Sequence, residues 1–169
     1  MKIGLNSLKE GSQILNVSLT KNDLNIVDSG FVYPINVSMV VDKFSSQIFI
    51  SGKLQTRADF QCDRCLNSYS QDLKADFKVV LAMMHDKDLE DENVILVSPS
   101  MNEVDITPQI RDAVILAIPL KKICSDNCQG LCSFCGANLN NEECRCGEKD
   151  IDSRWEPLKR IMKKIPEES

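Results

Sequence analysis

Six cysteines fall within 24 residues in the stretch CSDNCQGLCSFCGANLNNEECRCG, Cys124 to Gly147, and two more, Cys62 and Cys65, stand upstream in QCDRCLN. A C-x-x-C turn points both sulfurs the same way, so two thiolates can grip one metal ion. A glycine after the second cysteine relieves the left-handed backbone that such a knuckle often needs. Cys132, Cys135 and Gly136 have that form, and Cys144, Cys146 and Gly147 give a tighter C-x-C-G version after eight intervening residues. Four thiolates at Zn–S distances of about 2.3 Å make a closed, structural tetrahedral site. Zinc is therefore the expected occupant of Cys132, Cys135, Cys144 and Cys146, with an iron–sulfur cluster or a redox switch as the competing uses of these donors. Buried free thiols would leave the spacing unexplained.

The remaining four thiols are less regular. Cys124 and Cys128 are spaced C-x-x-x-C, and the pair Cys62 and Cys65 lacks a following glycine. Eight thiols shared among four-ligand sites give two sites, so the economical second set is Cys62, Cys65, Cys124 and Cys128. Two alternatives stay open: Cys128 completing the C-terminal site, or Cys62 and Cys65 acting as a reactive dithiol.

Elements that must position these residues follow from periodicity. FVYPINVSMVVDKF places Phe31, Tyr33, Ile35, Val37, Met39 and Val41 on one face at period two, with Pro34 hinting at an edge. SQIFISG reads as its antiparallel neighbour after a turn at Lys43 to Ser46. GKLQTRADFQC and DLKADFKVVLAM alternate on either side of the turn DRCLNS, putting Cys62 and Cys65 at a hairpin tip, and NVILV completes the sheet. The period then changes in DITPQIRDAVILAIPLKK. Thr107 is the expected N-cap, Pro108 the first helical residue, and Ile110, Ala113, Val114, Ala117 and Ile118 the apolar stripe, closed by Pro119. After the cysteines, DIDSRWEPLKRIMKKI offers Asp152 as an N-cap and a stripe of Trp155, Leu158, Met162 and Ile165, with Trp155 expected as a core anchor. The reading is an α+β fold: a mostly antiparallel sheet or partly closed barrel with a covering helix in residues 1–121. A cysteine-rich zinc-knuckle segment and basic terminal helix follow in residues 122–169.

The segment from Lys121 to Asp150 has few large apolar residues, chiefly Ile123, Leu131, Phe134 and Leu139. Burial alone cannot offset its ordering entropy, whereas structural zinc contributes ~10–16 kcal/mol of apparent binding free energy in small fingers. The 43% hydrophobic and 27% charged fractions are those of an ordinary globular chain. A net charge of −5 excludes a uniformly basic nucleic-acid groove but not a local basic patch. No secretory pattern or membrane-length apolar run is present, so the chain is expected in the cytoplasm with reduced thiols. The single histidine, His85, lies in the acidic run HDKDLEDEN and reads as solvent-exposed, and no Gly-rich phosphate loop occurs. Hydrolytic and nucleotide-dependent chemistry are poor fits. Thiol–disulfide exchange at Cys62 and Cys65 would need a lowered thiol pKa, and only Arg64 is nearby in sequence.

The order CDRCL, DITPQIRDAVILAIPL, C-x-x-x-C-Q-G-L-C-x-x-C-G-A-N-L-N, C-R-C and D-S-R-W-x-x-L resembles that of the large ribosomal RNA subunit accumulation protein family, also called YceD, over nearly the whole chain. The resemblance implies a bacterial cytosolic protein, not an enzyme, that supports synthesis, processing or stability of large-subunit ribosomal RNA. Its partner would be that RNA, a ribosomal protein or an assembly factor, with no membrane and no small-molecule substrate. The candidate contact residues are Arg145, Lys149, Arg154, Lys159, Arg160, Lys163 and Lys164. Family branches that keep the upstream cysteine pair without the later cluster imply that the two regions need not share a site. The alternatives are a zinc-dependent protein-interaction or redox-sensing module, and, less favoured, an oxidoreductase using Cys62 and Cys65.

Overall fold

The structure is a computed structural model that describes residues 1–28, 30–44, 47–83, 94–98, 100–147 and 153–155. The acidic run with His85, and Lys149, Asp152, Leu158, Lys159, Arg160, Met162, Lys163, Lys164 and Ile165, lie outside the described residues. The chain divides into two compact units. One is Met1–Asp63 with Asn67–Asp126; the other is Arg64–Leu66 with the described residues from Asn127 onward.

The first unit holds seven strands, a 3-10 turn (Leu5–Ser7) and one α-helix among its described residues: β1 (Lys2–Gly4), β2 (Gly11–Leu19), β3 (Ile35–Lys43), β4 (Gln47–Gln61), β5 (Ser68–Met83), β6 (Val94–Val97), β7 (Glu103–Asp105) and α1 (Thr107–Leu116). Strands β2 to β6 form a five-stranded sheet in sequence order, and β1 pairs with β7 in a separate two-stranded sheet. The larger sheet is open, with β2 and β6 as its edges, so the partly closed barrel is not formed. Pairing is antiparallel from β2 to β5, but β6 runs parallel to β5, in register from Val80↔Val94 to Met83↔Val97. Alternation specifies which face a strand buries but not its direction. The chain path between strands decided that.

Period-two burial is clearest on β4, where Ile48, Ile50, Leu54, Thr56, Ala58 and Phe60 are buried between exposed neighbours. They share the inner face with Val37, Met39 and Val41 of β3 and with Leu73, Phe77, Val79 and Leu81 of β5. Helix α1 contacts β5 and contributes buried Ile110, Ala113 and Val114, while Ala117 and Ile118 are half-buried. The helix begins at Thr107 with Ile106 as its N-cap, one residue earlier than expected. Asp105 explains the shift: its Oδ1 accepts the Thr107 N–H at 2.9 Å, so the side chain that satisfies the first helical turn comes from further upstream. At the other end, the helix stops at Leu116, ahead of Pro119.

The strand expected to start at Phe31 starts instead at Ile35, directly after Pro34, which has no N–H to donate to a ladder. Tyr33 is consequently exposed, although Phe31 remains buried. Segment 30–34 runs beside β4 all the same: Gly30 O accepts the Asp59 N–H at 2.9 Å, and Thr56 Oγ1 donates to Pro34 O at 3.1 Å.

Most of SQIFISG and GKLQTRADFQC falls on one 15-residue strand, β4, which contains Gly52. Glycine marks a close approach there: a Cβ on Gly52 would lie 2.2 Å from Phe77 Cζ, so the ring occupies the space a side chain would need. Replacing Gly52 by alanine is expected to lower stability by about 1–3 kcal/mol. In urea melts, Phe77→Ala should remove most of that penalty, because the two substitutions act on the same space. Simple additivity of the two effects would refute the seat.

Candidate metal centres

Both C-x-x-C turns adopt one backbone plan. In each, the N–H of the first cysteine donates to the carbonyl five residues on: Cys62 to Asn67 O at 2.9 Å, and Cys132 to Ala137 O at 2.8 Å. The residue after the second cysteine is left-handed in both, Leu66 at φ +60° and Gly136 at φ +73°. The sequence flags only Gly136. At position 66 a leucine takes the same conformation, at a steric cost of roughly 1–2 kcal/mol relative to a right-handed residue.

The first knuckle caps the β4–β5 hairpin, as the alternation on either side of DRCLNS implied. Its flank is fixed by reciprocal bonds, Asp63 N–H to Lys122 O at 2.7 Å and Lys122 N–H to Asp63 Oδ2 at 2.8 Å. The Cys124 N–H points at Cys62 Sγ at 3.4 Å. Arg64 is committed to structure, donating from Nη1 to Cys128 O at 2.9 Å while its own carbonyl accepts the Leu131 N–H at 3.0 Å. Gly130 at φ +77° allows that approach, since a Cβ would sit 3.1 Å from Arg64 O. Asn140 adds two links, accepting the Gln129 N–H at 2.8 Å and reaching Cys128 Sγ at 3.5 Å.

The sulfurs of Cys62, Cys65, Cys124 and Cys128 all lie within 4.8 Å of one another, and so do those of Cys132, Cys135, Cys144 and Cys146. A tetrahedral ion with bonds of about 2.3 Å would set neighbouring sulfurs about 3.8 Å apart, so both sets fit one four-coordinate ion each. Every donor is a thiol and none of the four positions is left to water, which is the arrangement of a structural rather than a catalytic centre. Cys62 and Cys65 lie in one cluster with Cys124 and Cys128. In that set Cys62, Cys65 and Cys128 are buried, whereas Cys135 and Cys144 of the other set are exposed.

In the C-terminal set Cys132 Sγ lies 3.4 Å from Cys144 Sγ, and Cys135 Sγ 3.9 Å from the same atom. The backbone N–H groups of Cys135 and Phe134, then the neighbouring thiols, lower the Cys132 pKa to about 6. The thiols of Cys135 and Cys144 push Cys146 the other way, to about 12. A divalent ion would favour the thiolate form of its cysteine donors.

Arg145, between the last two cysteines, and Arg154 are exposed. Trp155 is not a core anchor: it sits in a three-residue 3-10 turn, Ser153–Trp155, and is 59% exposed. Phe134, inside the second knuckle, is 70% exposed and was not foreseen as a surface residue. A concavity of about 550 Å³ lies on the outer face of the sheet, lined by Asn16, Ser18, Asn36, Ser38, Lys53 and Gln55.

A family model described as "Large ribosomal RNA subunit accumulation protein YceD" matches residues 50–162, a span that includes all eight cysteines. The chloroplastic large ribosomal RNA subunit accumulation protein YCED homolog 1 of Arabidopsis thaliana is 25% identical over 184 residues, covering 93% of this chain and 56% of the relative. The Zea mays protein of the same name is 28% identical, covering 77% of the chain and 54% of the relative. An uncharacterized protein of Mycobacterium leprae is 26% identical, with 83% and 65% covered. The chain thus spans little more than half the length of the two plant relatives. No solved structure matches it.

Leu66→Gly is expected to stabilise the chain by about 1 kcal/mol in denaturant titration, since the side chain is half exposed and its left-handed backbone is strained. A loss of stability on this substitution would show that leucine packing outweighs the backbone term.

Proposed function

The chain belongs to the YceD family, and from that premise we propose that it is a non-catalytic accessory factor for the accumulation of large-subunit ribosomal RNA. It carries two structural zinc ions, one held by Cys62, Cys65, Cys124 and Cys128 and the other by Cys132, Cys135, Cys144 and Cys146. One observation carries the reading. Among the described residues of the second unit, the buried ones are Cys65, Cys128, Gly130 and Cys132, with no aliphatic or aromatic side chain among them. A segment with that interior needs metal–thiolate bonds to hold its shape.

What such a segment presents outward suits RNA. Arg145 follows from the C-x-C turn and Arg154 lies near the exposed Trp155, while Phe134 projects from the knuckle. Aromatic faces stack on unpaired bases and guanidinium groups pair with phosphates. Lys149, Lys159, Arg160, Lys163 and Lys164 would extend the same basic contact. Acid elsewhere in a chain of net charge −5 discourages indiscriminate coating of nucleic acid, favouring one restricted site on ribosomal RNA or on a protein bound to it. Eight free thiols suit a reducing compartment such as the cytosol. The described residues contain no helix long and apolar enough to cross a membrane.

The exposed thiols of Cys135 and Cys144 favour one second reading, a redox-sensing interaction module. Cys62 and Cys65 lack the helix N-terminus that would activate a thiol for exchange, standing instead on a strand-to-strand knuckle.

Native mass spectrometry of the reduced chain is expected to find two zinc ions, falling to one in Cys132→Ser. A wild-type count of zero or one would remove the double site. Crosslinking and sequencing of RNA bound in cells should recover large-subunit ribosomal RNA, with less recovered from Arg145→Glu, and affinity for it should fall steeply with salt. Recovery of neither that RNA nor large-subunit proteins would overturn the assignment. Metal loss on oxidation that switches protein partners, with no RNA recovered, would favour the sensor.

A further inference from the structure

Among the described residues, strand β2 is the long open edge of the five-stranded sheet, and its sequence GSQILNVSL contains no charge and no proline. All nine residues pair with β3 in unbroken register, from Gly11↔Lys43 to Leu19↔Ile35, so no bulge turns the edge away. Charges, prolines and bulges are the devices by which exposed edges are kept from pairing with another chain, and β2 has none of them. The opposite edge, β6, is only four residues long. Strands β3, β4 and β5 all carry charged residues.

The inner face is also unfinished at β2. Leu15 and Val17 are half-buried, while their register partners Met39 and Val37 are 0% and 2% exposed. A further strand beside β2 would cover them. Self-pairing places each residue opposite a residue of the same strand, so any charge near the centre would meet its like; a neutral strand carries no such penalty.

We propose that β2 pairs antiparallel with β2 of a second copy of this chain, about a two-fold axis through Asn16. That register sets Leu15 opposite Val17 of the second copy and Val17 opposite its Leu15, joining the half-buried apolar residues on the inner face. On the outer face Ile14 meets Ser18. Asn16 meets itself, and a carboxamide, with both donor and acceptor, can satisfy its own symmetry mate. The two sheets become one ten-stranded sheet, independent of the metal sites and of any RNA.

Sedimentation equilibrium of the full-length, reduced, zinc-loaded chain tests this. Wild type is expected at twice the 19.0 kDa chain mass at high concentration. Asn16→Lys alone and Asn16→Asp alone should each weaken the dimer by about tenfold or more, because like charges then face each other across the axis. An equimolar mixture of the two variants should regain the dimer, which misfolded variants could not do. Gln55→Lys, on an interior strand, should leave it intact. Monomeric wild type overturns the proposal and leaves the edge to a peptide from another protein or to another segment of this chain. Variants that dimerise as wild type does, or a mixture that stays monomeric, overturn it equally.

Discussion

Convergence of sulfur is the constraint on which the second unit rests. Its described residues bury no aliphatic side chain, and Leu131, Phe134 and Leu139 are half-buried or exposed. Backbone ordering costs roughly 1–2 kcal/mol per residue. A structural zinc site in a small finger returns ~10–16 kcal/mol, comparable with ordering about ten residues. Dispersed hydrogen bonds, such as those of Arg64 and Asn140, select one arrangement of a segment whose cysteine clusters could hold a metal ion.

The same constraint explains why two knuckles with different sequences share one backbone. Two sulfurs can face one point from a C-x-x-C turn only if the chain reverses sharply after the second cysteine, and the reversal needs a left-handed residue. Gly136 takes it without strain, and Leu66 takes it in spite of its Cβ. The N–H donated by the first cysteine to the carbonyl five residues later closes both turns. Backbone N–H groups aimed at Cys132 Sγ stabilise negative charge on sulfur, which prepares that sulfur for a cation.

The first unit works by ordinary burial. Its inner sheet face and α1 enclose a continuous apolar cluster; buried Thr56 donates to Pro34 O, half-buried Lys43 Nζ reaches Leu5 O and Leu8 O at 3.1 and 3.0 Å, and Gln109 Oε1 is buried without a hydrogen-bond partner among the described residues. Phe77 lying over Gly52 shows how closely the strands are fitted. The first unit has an apolar interior, whereas the buried residues among those described in the second are three cysteines and a glycine.

Sequence by itself determined the local physics. Alternation marked β3, β4 and β5 with their buried face but left the edge strand β2 unassigned, the change of period marked α1, and C-x-x-C spacing marked the knuckles, because each is a short-range property of side-chain direction. Tertiary structure decided what depends on chain path: the parallel β6, the open sheet, the separate β1–β7 pair, and the start of β3 after Pro34. Path also decided which thiols meet. Cys62 and Cys128 are 66 positions apart in the chain, and no spacing rule reaches that far. The left-handed Leu66 and the exposure of Phe134 and Trp155 were hidden for a related reason. Residue type records average preference, and these three positions are governed by what surrounds them once the chain has folded.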